Sequence, residues 1–232
     1  MAAVPVTSEI AQRAAILGFN DLPDDLVERT KQCLLDWFAV TLAGAQDELT
    51  DILIQETLED GGRGAASLVG RKEKVTPSAA TLINGAASHA LDYDDVNFAM
   101  GGHPTVTVVP ALLSLGEQRK ASGRLFNESF VAGYETSGRV GNLVGPSHYT
   151  RGFHVTGTVG SFSAAAAAAT AFGRGESLPL AGSRLKEADA FLSTLEAARQ
   201  SREDLAREMK RNRDWLHTTL ASIADAVIAT DT

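Results

Sequence analysis

The 232 residues, 44% apolar and 22% charged, are enough to bury a core and too apolar for global disorder. A net charge of −8, from 21 basic and 29 acidic side chains, argues against nonspecific nucleic-acid binding, which needs a basic face to displace counterions. The lone Cys33 excludes an intramolecular disulfide and a multi-cysteine zinc site, and it fits a reducing, cytoplasmic compartment.

Met1 to Gln12 has no basic stretch followed by an apolar run, so no secretory signal is expected. Thr7 or Ser8 is a candidate cap for a first helix with Ile10, Ala11, Ala14 and Leu17 on one face, ended by Gly18. Pro23 suits the first turn of a second helix, with Asp21 as its cap. That helix carries Leu26, Cys33, Leu34, Trp37 and Val40 and closes at Gly44. Ile52, Leu53 and Leu58 predict a third helix, stopped by Gly61 and Gly62. Ala66 to Gly70 reads as a short strand or extended turn. Pro77 opens a fourth helix towards Leu91, and Pro104 and Pro110 precede or open a fifth through Leu115. Phe126 to Leu143 predicts a sixth, interrupted by Gly133 and Gly138. Thr156 to Phe172 is a small-residue helix inside a run of 22 residues without Asp, Glu, Lys or Arg. Its large apolar groups are too few to drive membrane insertion, so burial among other helices is expected. Strand alternation is nearly absent, and the fold class is therefore all-α, a thick helical bundle.

Charge divides the chain: 32 of the first 174 residues are charged, against 18 of the last 58. We read residues 1–174 as a helical domain, 175–184 as a linker and 185–232 as a second segment. In that segment Leu185, Ala188, Leu192 and Leu195 keep three-four spacing, and a shifted register continues through Leu205, Met209 and Leu216. The pattern fits a long coiled-coil-like helix or a solvated single one.

Polar residues gather at a few places in the apolar first segment. His89 and Asp92 lie three apart, a spacing that puts them on one helical face. Asp92, Asp94 and Asp95 surround Tyr93 where acids oppose the helix dipole; Asp94 and Asp95 are ordinarily caps or solvated loop acids. His103 precedes Pro104, and His154 precedes the small-residue helix, so both stand at helix N-termini that favour anions. Arg139 and Arg151 are surface arginines unless they grip a carboxylate, which arginine does bidentately. Histidine titrates in the range needed to move a proton at carbon beside a carboxylate. His89 with Asp92 is also a metal-ligand pattern, but no third ligand has clear spacing, so no metal is expected. His148 sits in a Gly/Pro/Ser-rich loop and reads as structural.

Five motifs occur in order: Asp36-Trp-Phe-Ala-Val-Thr-Leu-Ala-Gly44, His89-Ala-Leu-Asp92-Tyr-Asp94-Asp95, Gly102-His103-Pro104-Thr105, Gly133-Tyr-Glu135 with Arg139-Val-Gly141, and Arg151-Gly-Phe-His154-Val-Thr-Gly-Thr158. Over roughly residues 8–174 the chain resembles the MmgE/PrpD family, which includes 2-methylcitrate dehydratase and cis-aconitate decarboxylase. The resemblance implies a cofactor-independent lyase acting on small polycarboxylates, commonly a homodimer; charge and composition, as above, predict no nucleic-acid or membrane partner. It implies Asp92, His103 and His154 as catalytic residues, with His103 and His154 moving protons and Asp92 orienting one of them. Arg139 and Arg151 are then the substrate-binding candidates. Val96 stands where the decarboxylase has a threonine, and the interval from Asp92 to His103 is one residue longer. The family's fold also continues into more helices and an α/β lid carrying a further lysine and histidine, so weak or absent activity is expected of this chain alone.

From Arg211 to Asp231 the sequence resembles the linker helix and first strand of a PAS sensor domain, as found in sensor histidine kinases. His217 within it is expected to be structural. The alternatives to a lyase fragment are an interaction or signalling module dimerising through this segment, and a fusion of two partial reading frames.

Overall fold

Helix formation follows the apolar spacing closely in the computed structural model, which describes residues 6–172. Helix α1 spans Val6–Ile16, and a 3-10 turn at Phe19–Asp21 leads to α2, Asp24–Gly44, and α3, Glu48–Glu59. Two short strands, β1 Arg63–Ser67 and β2 Lys74–Val75, pair antiparallel. Helices α4 Pro77–His89, α5 Thr105–Arg119, α6 Gly123–Val144, α7 Pro146–Thr150 and α8 Val155–Phe172 follow. The described residues are thus overwhelmingly helical. Among them no helix is long and apolar enough to cross a membrane. The coiled-coil-like helix and PAS-like segment expected over 185–232 lie outside the described residues.

The caps explain most boundaries. Asp47, Thr76 and Ser122 each accept a hydrogen bond from the first turn of α3, α4 and α6, satisfying amides that have no intrahelical partner. Pro77 occupies the first turn of α4. Pro23, by contrast, is itself the N-cap of α2, and Asp21 belongs to the 3-10 turn before it. Thr7 and Ser8 fall inside α1 rather than capping it.

The core joins α2, α5 and α6 through Trp37, Val106, Val108, Val109, Leu112, Phe130 and Val131, with Ala167 from α8. Burying a side chain of such size stabilises by about 1.5–3 kcal/mol, and Trp37 is only 1% exposed. Pro110 lies within α5 without ending it. Gly133 does not interrupt α6 but lets α8 approach it. A β-carbon there would stand 2.8 Å from both the Ser163 carbonyl oxygen and the Ala167 Cβ. Gly138 also lies within the continuous helix.

Helix α8 buries Ser163 and Thr170 by turning their hydroxyls onto the carbonyls of Val159 and Ala166, four residues back. Such bonding satisfies a hydroxyl without any partner from another helix. That is how an uncharged, small-residue helix remains buried. Glu128 of α6 is 3% exposed and accepts the Phe19 amide at 2.7 Å, tying the 3-10 turn to the core.

Candidate functional site

Helix α4 ends at His89, and the chain turns at once: the Asp92 amide donates to the His89 carbonyl at 3.1 Å. Asp92 itself takes a left-handed conformation with φ 52°, uncommon for a residue other than glycine. His89 and Asp92 therefore do not share a helical face as their spacing suggests.

Residues 90–104 form a loop pinned on three sides. Asn97 and Gly102 pair as an isolated bridge, and the Asn97 side chain accepts the Met100 amide at 2.9 Å. Met100 lies against Gly141 of α6, where a β-carbon would stand 2.4 Å from the Met100 Cα. The His103 amide donates to the Thr156 hydroxyl of α8 at 3.2 Å. Asp95 accepts the Thr105 hydroxyl at 2.7 Å and its amide at 3.3 Å, so it holds the first turn of α5. Burial pushes the Asp95 carboxyl above the usual carboxylate range, against hydrogen bonds from Thr105 and Tyr134 that lower it. Burial, with Asp95 nearby, raises the Tyr134 phenol to about 12. The same two causes, with Asp36, raise the Cys33 thiol to about 11.

This pinning gathers three histidines. The His89 and His103 ring centroids are 4.7 Å apart, and the His154 ring stacks on His89 at 6.0 Å. Between His89 and His103 lies Asp94, its side chain 1% exposed. Its carboxylate oxygens are 3.0 Å from His89 Nδ1 and 3.0 Å from His103 Nδ1. A buried carboxylate needs such partners to offset its lost hydration. On the outer side, His103 Nε2 is 3.7 Å from the exposed Asp92 Oδ1.

The arrangement orients one imidazole from behind and leaves its other nitrogen towards the loop surface. A histidine so placed is suited to accept and return a proton. Leu91, Tyr93, Val96 and Phe98 add exposed apolar surface along the same loop.

Of the residues singled out from sequence, the structure brings together Asp92, His103 and His154. Arg139 stands apart in its contacts: its guanidinium pairs with Glu135 one turn back on α6. Arg151 is exposed at the C-cap of α7. His148, expected in a loop, lies in the short helix α7, where it bonds the Thr158 hydroxyl at 2.7 Å and stacks on Phe153. Sequence reasoning missed Asp94, which is neither cap nor solvated acid, and undervalued His89, its partner. The clue available was the acid run itself, placed where the helix dipole disfavours it.

Comparison with known proteins gives the family. Residues 8–178 match the family model described as the MmgE/PrpD N-terminal domain. A cis-aconitate decarboxylase-like protein, oryM, of Aspergillus oryzae is 31% identical over 176 residues, covering 72% of this chain and 36% of that protein. The cis-aconitate decarboxylase of Aspergillus terreus is 28% identical over 162 residues, covering 67% and 33%. That of Mus musculus is 29% identical over 174 residues, covering 72% and 36%. The chain thus spans about a third of the length of these relatives.

Proposed function

Because this chain belongs to the MmgE/PrpD family, we propose that its histidine–aspartate cluster is the acid–base wall of a lyase site for small polycarboxylates. The observation that carries the reading is the buried Asp94 carboxylate, 3.0 Å from His89 Nδ1 and 3.0 Å from His103 Nδ1. Asp94 holds the His103 ring, and Nε2 of that ring exchanges the proton. In a dehydration, the base takes the proton from the carbon beside a carboxylate, and the hydroxyl departs as water after receiving a proton. In a decarboxylation, carbon dioxide departs with its bond electrons left on carbon, and the acid protonates that carbon. His154, in the same ring stack, is the candidate for the second proton transfer, and Asp92 orients His103 from its outer side. Arg139 and Arg151 are the candidates for gripping carboxylates, Arg139 by exchanging Glu135 for substrate.

Cis-aconitate is the first substrate to try, since the relatives are named for its decarboxylation. Weak or absent turnover by the 232 residues alone is part of the proposal. It is supported by the exposed apolar groups along the site loop and by the match to only about a third of the relatives' length. The test combines turnover assays with histidine ring NMR during titration with cis-aconitate and with 2-methylcitrate. The expected result is movement of the His89, His103 and His154 resonances with little product formed. If no histidine resonance responds to either compound, or if fast turnover survives His103→Ala, the assignment is wrong.

A further inference from the structure

One contact in the cluster is not explained by proton transfer. His103 Nδ1 is fully buried and forms no aligned hydrogen bond, although Asp94 Oδ2 is only 3.0 Å away. The two atoms are close but not aligned for a hydrogen bond, so His103 Nδ1 keeps a coordinating capacity that a cation can take up.

His89, Asp92, Asp94 and His103 each offer one donor atom, and all four lie within 4.8 Å of one another. The described ion pairs of Asp92 and Asp94 are with imidazoles alone, so no competing lysine or arginine neutralises the two carboxylates there. Asp92, left-handed in its backbone, stands with Oδ1 3.7 Å from His103 Nε2. Sequence spacing hid this set because its members are split between a helix end, a strained turn and the approach to the next helix.

We propose that these four side chains form a binding site for a divalent first-row transition ion, with zinc the best fit. Two imidazole nitrogens and two carboxylate oxygens suit a tetrahedral, borderline-soft ion, whereas magnesium and calcium take oxygen donors. Donor atoms now up to 4.8 Å apart close to roughly 3.3–3.6 Å around a tetrahedral ion with ligand distances of about 2.0–2.2 Å. An ion held there occupies His103 and blocks the proposed proton transfer. The site therefore binds metal as an inhibitor. The inference uses the side chains of the proposed lyase site but stands on their geometry and does not depend on turnover.

The test is calorimetric titration of the chelator-stripped full chain with zinc chloride, alongside visible spectroscopy with cobalt(II). One zinc equivalent is expected to bind, with the intense visible bands of tetrahedral cobalt. Asp94→Asn and His103→Gln should each weaken zinc at least tenfold, while His148→Gln should leave it unchanged. Asp94 is buried, so its variant is also checked for folding by circular dichroism. Asp92→Asn, at an exposed position, should fold normally and still weaken binding severalfold. In the unaltered chain, cobalt should broaden the His89 and His103 ring resonances and spare His148. Absence of saturable binding overturns the proposal, as does binding that ignores Asp92→Asn and leaves the His89 and His103 resonances sharp. Zinc binding without any response to polycarboxylates would sink the lyase reading alone.

Discussion

Replacing Asp94 by asparagine keeps shape and removes charge, so it isolates what the buried carboxylate does. His89 Nδ1 sits 3.0 and 3.2 Å from its two oxygens. A hydrogen bond to a charged group contributes about 1.5–3 kcal/mol, roughly twice a neutral one. Asparagine retains one acceptor oxygen for His89 but turns its amide group towards His103 Nδ1, which loses the favourable charge at 3.0 Å. Removal of a buried charge returns part of this by relieving its desolvation. The expected net loss is about 1–3 kcal/mol, which for a domain of this size lowers the melting temperature by roughly 3–10 °C. Thermal unfolding at pH 7 measures the loss, and nitrogen-15 spectra of the histidine rings report where the proton sits. In the unaltered chain His89 should carry its proton on Nδ1, facing Asp94. In Asp94→Asn that preference should weaken, and the His103 ring should broaden as it samples more orientations. A variant that melts within 1 °C of the unaltered chain (an order-of-magnitude bound from the same scaling) with unchanged ring spectra would refute the reasoning. Asp94 would then be a space-filling residue that any isostere replaces.

Two further expectations follow from other parts of the molecule. With its thiol raised to about 11, Cys33 has roughly a hundredfold less thiolate at pH 8 than an ordinary cysteine. Alkylation by iodoacetamide should be correspondingly slow and should accelerate as pH rises towards that value, whereas a rate equal to that of a free thiol at pH 8 would contradict the burial seen around it. Gly133→Ala places a methyl 2.8 Å from the Ser163 carbonyl and should destabilise by about 1–3 kcal/mol through forced separation of α6 and α8. Urea unfolding measures this, and an unchanged midpoint would mean that the two helices part at little cost.

Much of this fold is legible because helices announce themselves by period and caps. Pro77 at the start of α4, the Gly61–Gly62 stop after α3 and the small-residue character of α8 all led to elements within a few residues of their true bounds. What failed were the punctuation residues used for a second purpose. Pro110 lies inside α5, and Gly133 and Gly138 lie inside α6; at Gly133 the close approach of α8 explains why a residue that weakens an isolated helix stands there. The site was half legible. His103 and His154 were found as helix-entry histidines, and Asp95 fits the cap reading. Asp94 was not found, because burial of one acid in a run of three is decided by how the loop folds back, and periodicity carries no trace of that. His89 and Asp92 were paired by a helical spacing that the chain abandons at His89.

The hydroxyls of α8 have one more consequence. Because Ser163 and Thr170 bond only to their own helix, they give α8 no polar grip on α5 or α6 at those positions. Its seat along their length is then set by shape, as in helices packed within lipid. The indentations that fix it are Gly133 and Gly160, the latter so close to Thr107 of α5 that a β-carbon would stand 2.4 Å from the methyl group. Gly160 lies one helical turn beyond Thr156, whose hydroxyl receives the His103 amide. That steric notch thus acts as an alignment stop for the histidines. Sliding of α8 by one turn, about 5.4 Å, would carry Thr156 and His154 away from the loop and separate the stacked imidazoles.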